Sequence, residues 1–183
     1  AVESDGRPGR LAWAHLLPAN PDDQTSELHE VGPEGWQELD FARFVVDLEE
    51  EFERKAERVQ QTGRVPALLC YVKRPGEVGA DDRMSEMTEL CRTAVIQIMK
   101  RVVQTRPQLH PKFALGPGRF EDTLQQALQI GVEFLIFGQD LHPRQLRAMG
   151  EASDLKIIDR TQLILDIFAQ HARTRAGKLQ VEL

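Results

Sequence analysis

The chain of 183 residues has two cysteines, Cys70 and Cys91. So small a supply excludes a disulfide-stapled mini-domain. One cysteine falls in an apolar run and the other on a helical stripe, so both read as reduced core residues. No apolar run approaches the roughly 20 residues that a membrane span needs. The opening AVESDGRPGR carries no signal-peptide core. A cytoplasmic protein without a membrane span is expected. Catalytic signatures are missing as well. The five histidines, His15, His29, His110, His142 and His171, show no metal-ligand spacing, and there is no Cys-X-X-Cys pair or nucleophile elbow. No glycine loop ends in the Lys-Thr or Lys-Ser pair that a phosphate-binding loop requires, so the chain does not cleave GTP through one. We therefore expect no catalytic residue, no metal site and no enzyme activity in this stretch. Internal repeats and low-complexity tracts are absent too.

What remains is an ordinary globular composition, 41% hydrophobic and 28% charged, enough for one well-buried domain and a smaller flank. Charge is split unevenly. Residues 1–63 hold 15 acidic against 6 basic side chains, and residues 64–183 hold 14 against 17. The acidic first third repels phosphate, so an RNA partner has to meet the second part or elements beyond it.

Periodicity sets the order of elements. Arg10 to Leu17 reads as a strand between turn signals, and residues 18–35 as a polar connection containing Pro and Gly. Phe41, Phe44, Val45, Leu48, Phe52 and Val59 form one helical stripe, supported by Glu50–Arg54 and Glu51–Lys55 pairs and ended by Gly63 and Pro66. From Ala67 the pattern alternates. Strands are expected at Ala67–Val72, Ile96–Val103, Val132–Phe137 and Leu155–Ile158. Helices follow Met84 to Ala94, Phe120 to Leu128, the first-turn Pro143, and Asp159. Asp159 is placed to cap the last helix, with Gln162 completing a capping box. Strands alternating with helices imply an α/β fold, a small doubly wound parallel sheet of about four strands with helices on both faces. The last helix carries Leu163, Ile164, Ile167 and Phe168 at helical spacing, then Ala176, Leu179 and Leu183, with no stop signal. Together with a first residue that is not methionine, this suggests a piece of a longer protein whose final helix has a partner.

Several strings carry a family likeness. IDRTQLILDIFAQHARTRAGKLQVEL at 158–183 resembles the segment where the N-terminal domain of HflX-type ribosome-associated GTPases passes into a helical hairpin. ELCRTA at 89–94, VVQTRP at 102–107, HPKFALGPGRFED at 110–122 and LIFGQDLHPRQLR at 135–147 are similar to the same family in the same order. The likeness is specific from about Leu39. Before that, GRPGRLAWAHLLPANP at 6–21 is similar to the end of the N-terminal extension of longer members. The resemblance implies residues 1–38 as flank, 39–172 as the α/β domain and 173–183 as the start of a helical hairpin. It also implies binding to the 50S ribosomal subunit and its 23S rRNA, a role in ribosome splitting or rescue under stress, and a G domain further on that holds GTP and Mg. This chain is then a platform that aims the hairpin relative to that G domain. Val95 stands where the family usually has glycine, so the turn between helix and strand is expected to be longer or differently bent.

Two candidate sites follow. The loop from His110 to Arg119 precedes a helix, so Lys112, Gly116, Gly118 and Arg119 form a candidate phosphate site, with ATP or ADP as the nucleotide that some relatives bind in this domain. Arg173, Arg175 and Lys178 form a basic cluster suited to rRNA phosphates. Asp140 and Asp159 both follow strands, where open α/β sheets take ligands, although a turn and a cap account for them. A second function remains open, a self-contained nucleotide- or metabolite-binding domain using the Gly116–Arg119 loop and the strand ends.

Overall fold

A computed structural model describes residue 6 and residues 9–20, 24–35, 38–60 and 63–181; the side chains at 56, 58–60 and 173–181 fall outside that description. Strand β3, Val65–Lys73, is its centre. Every residue of β3 from Pro66 to Val72 is buried, as expected for a strand covered on both faces. Parallel partners lie on either side, β4 (Ile96–Thr105) on one and β5 (Phe134–Phe137) on the other, with β6 (Lys156–Ile158) beyond β5. The order across the sheet is β4-β3-β5-β6.

This order dictates where the helices go. Helix α2 (Ala80–Thr93) carries the chain from β3 outward to β4. The next crossovers, α3 (Pro117–Ile130) and α4 (Pro143–Ala152), run the other way. Because such crossovers share one hand, the reversal puts α2 on the opposite face from α3 and α4. Alternation along β3 records it. Ala67, Leu69 and Tyr71 pack with Met84, Met87 and Cys91 of α2 and with Leu163 and Ile167 of α5 (Arg160–Val181). Leu68, Cys70 and Val72 pack with Phe120 and Ala127 of α3 and Met149 of α4. The fold is the expected doubly wound α/β sheet, and the two cysteines sit on opposite faces of it.

A second, two-stranded sheet precedes the domain. Strand β1, Leu11–Leu16, pairs antiparallel with β2, Ser26–Val31. The connection expected over 18–35 therefore contains a strand. Its sequence, SELHEV, is largely exposed and lacks an apolar alternation, so only pairing with β1 defines it. Gln129 at the end of α3 stitches the hairpin to the body, its Nε2 donating to the carbonyls of Leu17, Gln24 and Thr25 at 2.8–3.1 Å. Helix α1, Phe41–Gln60, adds a bond from Lys55 Nζ to the Ala19 carbonyl at 2.9 Å. The Glu51–Lys55 pair forms at 3.4 Å. Arg54 Nε instead donates to the backbone carbonyl of Glu50.

At the turn between α2 and β4, Val95 adopts the left-handed conformation itself, φ 60°. Two local expectations change. Gln162 does not complete a capping box, because its Nε2 donates to Asp166 Oδ1 at 2.8 Å. A box forms instead at α4, where His142 Nδ1 accepts from the Arg144 amide and Gln145 Oε1 accepts from the His142 amide. Finally, Phe168 is 65% exposed, whereas Leu163 and Ile167 of the same stripe are buried.

Candidate functional site

Strand order reverses between β3 and β5, and their carboxyl ends open into a crevice, the place where open α/β sheets take ligands. β3 leaves the sheet into Arg74-Pro75-Gly76-Glu77, and β5 into Gly138-Gln139-Asp140. Between them lies a cleft of about 610 Å³ that reaches Arg83 and Arg106. A second cleft of about 330 Å³ shares Tyr71, Arg83, Gln139 and Asp140 with it and extends to Glu86 and Arg160.

The floor is fixed by backbone-like contacts. Gln139 continues the sheet with its side chain, Oε1 accepting from the Val72 amide at 3.2 Å and Nε2 donating to the Val72 carbonyl at 3.0 Å. Gly138 has to be glycine. A Cβ there meets the Tyr71 ring at 2.8 Å.

Tyr71, Glu77 and Arg83 close the wall. Tyr71 Oη donates to Glu77 Oε1 at 2.7 Å, and Arg83 Nη1 donates to Glu77 Oε1 at 2.6 Å and to Tyr71 Oη at 3.1 Å. The Arg74 amide gives Glu77 Oε2 another bond at 2.7 Å. That backbone donor, followed by the Tyr71 hydroxyl, holds the Glu77 carboxyl below its usual range. Burial, then its bond to Glu77, raises the Tyr71 phenol. Arg83 is thus spent inside the wall. Arg160 is paired with Glu86 at 2.6 Å. Among the described residues no ion pair joins Arg74 or Arg106 to an acid; Arg106 Nε donates to the Gln108 carbonyl at 3.4 Å, the Arg74 charge helps to hold Glu77 low, and both side chains line the cleft. An anion, above all a phosphate, is what this arrangement suits.

The two aspartates are committed. Asp159 Oδ1 accepts from the Gln162 amide at 2.9 Å, and its Oδ2 from the Leu141 amide at 3.1 Å. Asp140 Oδ1 accepts from Thr161 Oγ1 at 2.7 Å. The start of α5 is therefore bound at three points, Asp159, Arg160 and Thr161, to the crevice rim and to α2.

The loop before α3 lies next to the crevice. Gly116 is not a free donor, since its amide donates to Gln104 Oε1 at 2.8 Å. Pro117 has no N–H to offer, and Gly118 is exposed. Lys112 Nζ sits 5.0 Å from the centre of the Phe113 ring. Arg119 is half-buried, and its charge acts on the Cys70 thiol. Arg106 bridges the two regions, with Nη1 2.6 Å from where a Cβ on Gly116 would stand. The side chains of Arg173, Arg175 and Lys178 lie outside the described residues.

Sequence reading missed Arg74, Glu77, Arg83 and Arg106. The available signal was the turn Arg-Pro-Gly-Glu directly after the most apolar strand. Its partners come from α2 and the end of β4, and spacing along the chain does not join them.

Comparison with known proteins adds a family. The GTP-binding GTPase N-terminal family matches residues 81–169. GTPase HflX of Lacrimispora saccharolytica is 38% identical over 116 residues, covering 63% of this chain and 27% of that protein. GTPase HflX of Escherichia coli is 37% identical over 117 residues, covering 64% and 27%. GTPase HflX of Caldanaerobacter subterraneus is 30% identical over 140 residues, covering 76% and 30%. The chain thus spans less than a third of the length of these relatives.

Proposed function

Residues 81–169 are an N-terminal domain of the HflX type, and from that premise we propose that this domain is the platform of a GTP-binding protein that works on the ribosome. The reading is that the full protein binds the 50S subunit and takes part in splitting or rescuing ribosomes under stress, with GTP and Mg held in a separate G domain. The observation that carries it is the root of α5. This helix runs 22 residues, roughly 33 Å at helical rise. Its first turns are seated by Leu163 and Ile167 in the core and by Asp159, Arg160 and Thr161 at the rim. A helix held firmly at one end is a lever whose direction the body sets. On the outer side of the same turns Leu165 and Phe168 are 55% and 65% exposed, which suits a packing partner along this helix. In this reading the basic run Arg173, Arg175 and Lys178, beyond the seated turns in the sequence, is what meets rRNA phosphates. Sedimentation with 50S subunits tests the reading. The full-length protein should co-sediment, a version without residues 64–183 should not, and retention by that version argues against the platform.

A second reading rests on the crevice. Arg74 and Arg106 favour a nucleotide phosphate, ATP or ADP, bound by this domain itself, with Gly116 beside the Arg106 guanidinium. Calorimetry of the chain with ATP should give saturable binding that Arg74→Ala and Arg106→Ala weaken together. Absence of binding removes this reading and leaves the platform intact.

A further inference from the structure

The β1–β2 hairpin carries a cluster that neither the crevice nor α5 uses. Register sets His15 opposite Glu27 and Trp13 opposite His29, so His15, Glu27 and His29 share one face. One donor atom from each lies within 4.8 Å of the others. The two imidazoles stack with centroids 4.9 Å apart and planes 18° from parallel. Trp13 stacks on His29 at 5.1 Å, and the edge of Phe44 closes on both imidazoles at 4.9 and 5.7 Å. His15 Nδ1 and His29 Nε2 are buried without a hydrogen-bond partner. Buried polar atoms are almost always satisfied, so two adjacent unmatched imidazole nitrogens beside a carboxylate call for a ligand that accepts lone pairs.

We propose that His15, Glu27 and His29 bind one late first-row divalent cation, with Zn²⁺ the best match. Two imidazoles and one carboxylate form a borderline donor set, and three protein ligands leave a fourth position for water. Magnesium and calcium are poor matches, because they take mainly oxygen ligands. Metal–nitrogen bonds of about 2.0–2.1 Å bring tetrahedral donors to roughly 3.3 Å from one another, so the present spread has to close by about 1.5 Å. The Glu27 side chain supplies part of that movement, and the two imidazoles, 18° from parallel, supply the rest by turning until both lone pairs meet at the ion. The Glu27 side chain is 53% exposed, and its Oε2 already lies 3.9 Å from His29 Nε2. The ion takes one ligand from β1 and two from β2. It therefore ties together a two-stranded sheet of a kind that is marginal alone, at the face where α1 covers it.

The test uses the 183-residue chain, stripped of metal with a chelator and titrated with Zn²⁺ by calorimetry and with Co²⁺ by visible absorption. One equivalent should bind, with the intense visible bands of four-coordinate Co²⁺. Glu27→Gln should weaken binding at least tenfold, His15→Ala and His29→Ala should remove it, and His171→Ala should leave it unchanged. Glu27 is exposed, so its variant keeps the fold, which far-UV circular dichroism checks; if a histidine variant unfolds, Glu27→Gln alone decides. Lack of saturable binding by the unsubstituted chain, or unchanged affinity in Glu27→Gln, overturns the proposal.

Discussion

The carbonyl of Val95 accepts the amide of Val65 at 3.1 Å, and it does so from a left-handed backbone conformation, φ 60°. The bond joins the turn after α2 to the first residue of β3, so the entry to the central strand depends on a conformation that a β-branched residue resists. Holding such a residue there costs on the order of 1–3 kcal/mol. The side chain recovers little of it, being 50% exposed. Val95→Gly should therefore stabilise the domain. After subtracting the added freedom of glycine in the unfolded chain, the gain is about 1 kcal/mol, or roughly 3 °C in Tm. Thermal unfolding followed by circular dichroism checks it, and a lower Tm contradicts the strain.

Glu77 ties pH to the crevice wall. Its folded carboxyl is held below the ordinary range by the Arg74 amide and the Tyr71 hydroxyl. Stability from this source is present above the unfolded value, near ~4.3, and is lost as pH falls through the folded one. Tyr71 works in the opposite direction. Its raised phenol contributes below about pH 10 and loses that contribution as pH rises through the folded value. Glu77→Gln should flatten the acid limb of a stability–pH profile and shrink the alkaline effect of Tyr71. Chemical denaturation across the pH range reads both limbs, and an acid limb identical to that of the unsubstituted chain counts against the network.

The thiols offer a test of the core. Burial pushes both Cys70 and Cys91 up to about 12. At neutral pH neither presents a thiolate, and neither reaches solvent. An aromatic disulfide reagent should release no chromophore from the folded chain and two equivalents once denaturant is added. A disulfide between them is excluded by their positions on opposite faces of the sheet.

The sheet could be read from the chain because β3, β5 and the inward sides of α2 and α3 are buried by their own apolar residues, so pattern and structure record the same demand. The hairpin was harder. β1 shows alternation, but β2 has Leu28 at 65% exposure and is held by backbone pairing, with Gln129 fixing the connection that leads into it, and no periodicity reveals either. Missing β2 also hid the histidine cluster, since His15 and His29 become neighbours only across that pairing. At the crevice the cause differs. Tyr71, Glu77 and Arg83 come from a strand, a turn and a helix, and their union depends on how α2 returns over the sheet.

Asp159 provides the sharpest test of the lever. One carboxylate oxygen caps α5 at the Gln162 amide, and the other takes the Leu141 amide from the loop after β5. Alanine there loses the cap, worth about 1 kcal/mol, and leaves a buried amide unmatched at a cost of about 1–3 kcal/mol more. Asp159→Ser restores only the cap and should recover less than half of the loss. If α5 is rooted through this residue, hydrogen exchange in Asp159→Ala should accelerate first at residues 160–167. Protection in β3, buried between two helical layers, should fall only by the global loss of stability. Equal acceleration in β3 and α5 means that the helix has no root of its own to loosen. The platform proposal then requires that, in the full-length protein, acceleration confined to α5 come with weaker 50S binding, because a lever with a loose root no longer fixes the angle of what it carries.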